Sequence, residues 1–196
     1  LQDYSKAESL LMKANRVDLV LEMLNSICDW PKILEIADES EKEIRTHAHS
    51  MIAREEERKE NWEIAADHYK EAGDIEKCVL SLFNCRQFEK ICQIVEKSND
   101  QEILKKIGNE FTLRGDIDHA IDAFLKAGDF NGAVESCISL DEWKKALELS
   151  EQHNEIDKRK LISRYAKYLT NNSQISMALH LLIKNNLSIE AAQMLS

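Results

Sequence analysis

The chain has 196 residues and a formal net charge of −10, with 32% charged and 43% apolar residues, five glycines and one proline. This length can bury a sizeable core, and the scarcity of proline argues against a loop-rich or all-β fold. The acidic balance excludes a general nucleic-acid or anionic-membrane binder, since either needs a basic surface.

Apolar residues recur at helical spacing along the whole chain. In chain order this predicts helices over 3–14, 17–27, 30–40, 41–60, 62–72, 75–85 and 88–98. The pattern continues over 100–114, 117–127, 130–140, 143–153, 156–171, 174–185 and 188–195. Helix 41–60 carries a thin apolar stripe (Ile44, Ala48, Met51, Ile52), whereas 156–171 carries a richer one (Leu161, Ile162, Tyr165, Tyr168, Leu169). The former is therefore expected to be the outer, more exposed member of its hairpin. No apolar run approaches the ~20 residues of a membrane span, so no direct membrane insertion is expected. The chain opens on Leu1 without a signal-peptide pattern and reads as a piece of a longer protein.

The phrase "YKEAGDIEKCV" at 69–79 returns as "FLKAGDFNGAV" at 124–134. Residues 62–94 lie over 117–149 at an offset of 55 with no gap, matching Ala65 to Ala120, Ala72 to Ala127, Gly73 to Gly128 and Asp74 to Asp129. Tyr69 falls on Phe124 and Phe88 on Trp143, so large residues keep their places too. At an offset of 58, residues 4–36 join with Tyr4, Ala7, Leu11, Ala14 and Trp30 in register, and the tail adds Ile175, Ala178, Leu182 and Ala191. The unit is written about four times, the last copy shortened. Each copy holds four helices, too short to stand alone in water, so stacking must supply the apolar contact, as in a solenoid. Ala65, Tyr69, Ala72, Ala120, Phe124 and Ala127 are expected to form its core, with Trp30, Phe88 and Trp143 as packing wedges at helix starts.

The central Gly-Asp pair invites a phosphate-loop reading, but such a loop needs several glycines and a following lysine and hydroxyl. A helix hinge explains it better. Gly73 and Gly128 follow the last periodic residue, where a left-handed residue closes a helix, and Asp74 and Asp129 can cap the next one. Asn15 and Asn186 hold the glycine position in the other copies, and asparagine tolerates the same conformation.

Candidate chemistry is thin. Cys78, Cys85, Cys92 and Cys137 fall on apolar repeat positions, where cysteine acts as a small hydrophobe; only Cys28 is expected near the surface. No CxxC pair or Cys–His cluster suggests zinc, and no cofactor is expected. His47 and His49 point to different sides of a helix and cannot share a metal. Arg54, Arg58 and Lys59 interleave the acids of "REEERKE" at 54–60, as on a solvated face. A hydrolase using the acidic helix 41–60 would need convergent carboxylates with raised pKa.

Residues 115–128, "GDIDHAIDAFLKAG", resemble the second helix of a tetratricopeptide repeat, although the thirty-four-residue period of that family is not present. The ordered set "DLVLEMLNSICDWPKILEIA", "NWEIAADHYKEAGDIEKCVLSLFNCRQFEKI", "DHAIDAFLKAGDFNGAVESCISLDEWKKALELSEQH" and "LISRYAKYLTNNSQISMALHLLIKNN" resembles the tetratricopeptide-like region of the WD-repeat subunits of intraflagellar transport complex A. The resemblance implies an all-α, right-handed α-solenoid of stacked helical hairpins, about fourteen helices, with residues 1–196 a single segment of a larger propeller–solenoid protein. It further implies a non-enzymatic scaffold of cytoplasm and cilium, at the axoneme and ciliary base, serving retrograde transport and the import of membrane cargo. The implied partners are other A-complex subunits and membrane cargo or its adaptors, and no nucleic acid. A coatomer-type vesicle coat subunit has the same architecture and is the alternative within this class.

Overall fold

In a computed structural model, residues 2–38 and 41–195 are described, with the side chains of 4–38 and 41–193. The described residues form fourteen helices and no strand. They run α1 (Gln2–Lys13), α2 (Val17–Ser26), α3 (Trp30–Ile36), α4 (Lys42–Arg58), α5 (Trp62–Glu71), α6 (Ile75–Asn84) and α7 (Phe88–Lys97). Then follow α8 (Gln101–Leu113), α9 (Ile117–Lys126), α10 (Phe130–Ser139), α11 (Trp143–Gln152), α12 (Lys158–Asn171), α13 (Ile175–Lys184) and α14 (Ser188–Leu195).

The chain divides into two compact units, Leu1–Ile94 and Val95–Ser196. Within the first, each helix packs on its sequence neighbour from α1 to α6, with α4–α5 and α5–α6 the most extensive hairpins. Its core runs from Val20, Leu21, Leu24, Trp30 and Ile33 to Ala48, and on through Ala65, Tyr69, Leu82 and Phe83, all buried. In the second unit α8, α9 and α10 pack mutually, and α11 to α14 continue as neighbours. Phe124, Ala133, Cys137, Trp143 and Leu161 centre one cluster; Ile162, Ala166, Leu169, Ala178 and Leu182 form the next. This is the stacked-hairpin architecture of an α-solenoid, in which short amphipathic helices bury their faces on one another.

Helix lengths depart from expectation at one place. The helix expected over 30–40 stops at Ile36, because Ala37 turns extended (φ −69°, ψ 125°). The side chain of Arg45 on α4 donates from Nη1 to the carbonyls of Leu34 (3.1 Å) and Ala37 (2.8 Å). It thus serves acceptors that another helical turn would have used; residues 39–40 of the expected helix lie outside the described residues. The single proline, Pro31, sits in the first turn of α3, where its missing N–H costs nothing. Helix α4 buries only Ala48 and Ala53, whereas α12 buries Leu161, Ile162, Ala166 and Leu169.

Candidate functional site

The repeat hinges share one backbone design. Asn15, Gly73, Gly128 and Asn186 have φ of 54°, 77°, 70° and 59°. At Gly73 the N–H reaches Lys70 O (3.0 Å), and the next N–H, of Asp74, reaches back to Tyr69 O (2.9 Å). At Gly128 the same pair runs to Leu125 O (3.0 Å) and from Asp129 to Phe124 O (2.9 Å). This is the Schellman closure, which satisfies carbonyls that the helix end would leave bare.

Six further positions adopt it that the repeat alignment did not single out: Cys28, Glu60, Arg86, Gly115, Asp141 and Ser173, with φ between 57° and 79°. Each carries the same pair of hydrogen bonds, as in Arg86 N to Phe83 O (3.2 Å) and Gln87 N to Leu82 O (2.9 Å). The signal was the spacing: left-handed residues stand thirteen apart, at 15 and 28, at 60, 73 and 86, at 115, 128 and 141, and at 173 and 186. The connection after α3, like that after α11, is different, since Ala37 and His153 are extended.

The residue after each left-handed position begins the next helix. Asp74 accepts from Lys77 N (3.1 Å), Asp116 from His119 N and Asp129 from Gly132 N (2.8 Å). Arg16, Asp29, Asn61, Glu142 and Gln174 occupy the same position without a side-chain cap. Aspartate there closes one helix and opens the next within two residues.

The structure places the expected core residues unevenly. Ala65, Tyr69, Ala120, Phe124 and Ala127 are buried, and Ala72 is half-buried. The Phe124 ring lies between two glycines. A Cβ on Gly108 of α8 would stand 2.7 Å from one ring edge, and on Gly132 of α10 2.6 Å from the other. Its counterpart Tyr69 has Lys77 Nζ 5.4 Å above its ring and donates its hydroxyl to Glu57, and buried Ala53 of α4 holds the repeat position of Gly108. Burial, then Glu57, pushes the Tyr69 phenol well above its ordinary range.

Trp30 and Trp143 are buried, the first edge-on to His47 of α4 (5.3 Å), the second stacked on Tyr165 of α12 (5.0 Å, 11°). Phe88 departs from the expectation of a core residue, being 36% exposed with its ring near Phe83. Trp30 and Trp143 each have a ring of the following helix against them, His47 of α4 and Tyr165 of α12.

Alternate helices are also tied at the surface. Lys32 on α3 reaches Glu8 on α1 (2.5 Å), Lys90 on α7 reaches Glu63 on α5 (3.0 Å), and Lys145 on α11 reaches Asp118 on α9 (2.5 Å). The three lysines occupy one repeat position. Within the second unit Lys126 of α9 donates to the backbone carbonyls of Val95 (2.6 Å) and Glu96.

Groups that could do chemistry are arranged for other ends. Burial pushes the Cys78 and Cys137 thiols to about 11, away from nucleophilic character. Cys85 and Cys92 are half-buried and Cys28 is exposed. On α4 the Glu56 carboxylate accepts from Lys59 and Asn61, which hold it below the usual range. His49 and His68 face each other with their Nδ1 atoms 2.9 Å apart, so one ring donates and the other accepts. Burial, then His68, lowers the His49 pKa. Among the described residues no three His, Cys, Asp or Glu side chains are placed to hold a metal ion, and no helix is long and apolar enough to cross a membrane.

No protein-family model matches the chain. It is 23% identical over 197 residues to WD repeat-containing protein 35 of Rattus norvegicus, covering 98% of this chain and 17% of that protein. The Homo sapiens protein of the same name gives the same identity and coverage. Intraflagellar transport protein osm-1 of Caenorhabditis elegans is 30% identical over 95 residues, 46% of this chain and 6% of that protein. The chain thus spans about one sixth of the WD-repeat relatives it matches. By sequence, then, this stack of Schellman-hinged helices is similar along nearly its whole length to a stretch of WD repeat-containing protein 35, and along about half of it to an intraflagellar transport protein.

Proposed function

We propose that the chain is a scaffold segment of an intraflagellar transport A-complex subunit, working by rigid display of surface rather than by catalysis. The observation that carries this is the similarity to WD repeat-containing protein 35 over 98% of the chain, joined by the match to an intraflagellar transport protein. The side chains support it: burial raises the Cys78 thiol pKa, and Glu56 on the acidic helix has a lowered rather than raised pKa, the wrong direction for a general acid. The segment belongs to a single continuous solenoid of a larger propeller–solenoid protein. It packs against other A-complex subunits in cytoplasm and cilium, supporting retrograde transport and the import of membrane cargo or its adaptors.

Affinity purification of the full-length protein from ciliated cells tests the reading. Recovery of A-complex subunits at near-stoichiometric yield is the expected result. Recovery of coatomer instead would assign the segment to a vesicle coat, and recovery of neither would overturn the scaffold reading.

A further inference from the structure

The two units differ at one repeat position in a way that identifies a ligand chemistry. In the second unit Glu135 on α10 is gripped by both terminal guanidinium nitrogens of Arg164 on α12, with Nη2 2.9 Å from Oε2. Arg164, and more weakly Lys160, hold the Glu135 carboxyl below its usual range. The counterpart of Glu135 in the first unit, two repeats earlier, is Glu22 on α2. Ala53 on α4, Gly108 on α8 and Ala166 on α12 are all buried and fix the register of the facing helices. In that register Met51 stands where Arg164 does, and His47 where Lys160 does. The first unit therefore has the carboxylate without the bidentate arginine. Among the described residues neither Glu22 nor Glu43 makes an ion pair; Arg16 lies within electrostatic reach of Glu22, but its guanidinium is paired with Asp18 (2.6 Å).

A groove of about 430 Å³ lies here between α2 and α4, lined by Asp18, Leu21, Glu22, Glu43, Ile44 and His47. A second hollow of about 790 Å³ shares Glu43, Ile44 and His47 with it and is lined by Lys42 as well. Leu21 forms a buried floor, and Ile44 is 37% exposed, a large apolar side chain facing water. His47 is fixed edge-on to Trp30. A groove of this size takes a few large side chains, with an apolar floor between acidic walls.

We propose that the α2–α4 groove docks a basic amphipathic helix of a partner protein. Apolar side chains of that helix rest on Leu21 and Ile44, and an arginine seats on Glu22, as Arg164 seats on Glu135. This is helix-in-groove recognition, with the carboxylates steering a cationic partner and setting its register. The proposal names the kind of partner the scaffold reading requires and rests on that reading.

A labelled peptide of residues 157–172, which carries Arg164 and the basic face of α12, serves as probe. It is titrated by fluorescence anisotropy into the full-length protein at physiological salt. Saturable binding is expected, weakened about tenfold or more by Glu22→Lys and abolished when the peptide carries Arg164→Glu. Reversal of an exposed acid that does not line the groove, Glu155→Lys, should leave it within about twofold. Absence of saturable binding, an equal effect of Glu155→Lys, or equal binding by a scrambled peptide of the same composition would each overturn the groove. Glu22 is exposed, so circular dichroism of the Glu22→Lys protein should match the parent; if it does not, Glu22→Gln replaces it with the same expected direction. Failure of the peptide while A-complex subunits still co-purify sinks the groove alone. Failure of co-purification sinks the scaffold reading, whatever the peptide does.

Discussion

Replacing Arg86, Ser173 or Glu60 by glycine should stabilise the protein, although each change deletes a side chain and adds no contact. All three are exposed and sit at φ of 59° to 62°. A left-handed conformation costs an ordinary L-residue about 1–2 kcal/mol. Glycine avoids that cost but brings about 0.5–1 kcal/mol of extra unfolded-chain freedom. The difference leaves a gain of about 0.5–1 kcal/mol per site, or a few degrees in Tm for a chain of this size. Asn15 and Asn186 hold the same geometry (φ 54° and 59°) with a residue that tolerates it, so Asn→Gly should gain less. The reverse change isolates the backbone. A Cβ on Gly128 would meet nothing within 4 Å, so any loss in Gly128→Val, about 1 kcal/mol or more, comes from φ alone. Thermal melts followed by circular dichroism give the ranking. If Arg86→Gly and Ser173→Gly melt at or below the parent while Gly128→Val melts unchanged, the left-handed hinge account is wrong.

Gly132→Ala should destabilise by about 1–2 kcal/mol despite alanine's better helix propensity. Overpacking a buried ring costs about 1–3 kcal/mol, and the Phe124 ring cannot retreat because Gly108 borders its other edge. Phe124→Leu should recover part of that loss in a double-mutant cycle, and strict additivity of the two losses would refute the wedge. Acidification should weaken the first unit from about pH 6.5 downward. The folded protein holds His49 below its ordinary 6.5, so the unfolded chain takes up the proton first and stability falls as pH drops through that value. His49→Gln should flatten this part of the Tm–pH profile, and an unchanged slope would count against the histidine pair. A loss below the ordinary carboxylate range should follow separately, because Glu135 has a lowered folded pKa; Arg164→Met should remove it, as read by the same melts. Circular dichroism of the parent must show dominant helix, and substantial strand would sink the fold.

The helices were legible because each buries one face, and that leaves a period near 3.6 in the chain. The repeat marks Gly73 and Gly128 and hides Arg86 and Glu60 for one and the same reason. A Schellman closure is made by backbone N–H and C=O groups, so it marks the sequence only where glycine or asparagine happens to fill it. The thirteen-residue interval carried the missing information. Phe88 shows the opposite limit. Alignment with Trp30 and Trp143 transfers the residue type but not its burial, which depends on the neighbours as much as on the residue. The early end of α3 was invisible because Arg45, eleven residues after Leu34, supplies the hydrogen bonds that end it. Glu22 was one acid among many until the facing helices were set in register with Arg164.

The lysine rungs between alternate helices have an elastic consequence. Hairpin neighbours are joined by packed side chains, which resist compression and stretch alike and do not respond to salt. Lys32–Glu8, Lys90–Glu63 and Lys145–Asp118 bridge helices one place further apart, at the surface, where ions within a Debye length of about 8 Å weaken them. Each such surface pair contributes little to stability, so raising the ionic strength should slacken the tie between alternate helices while leaving the packed core untouched.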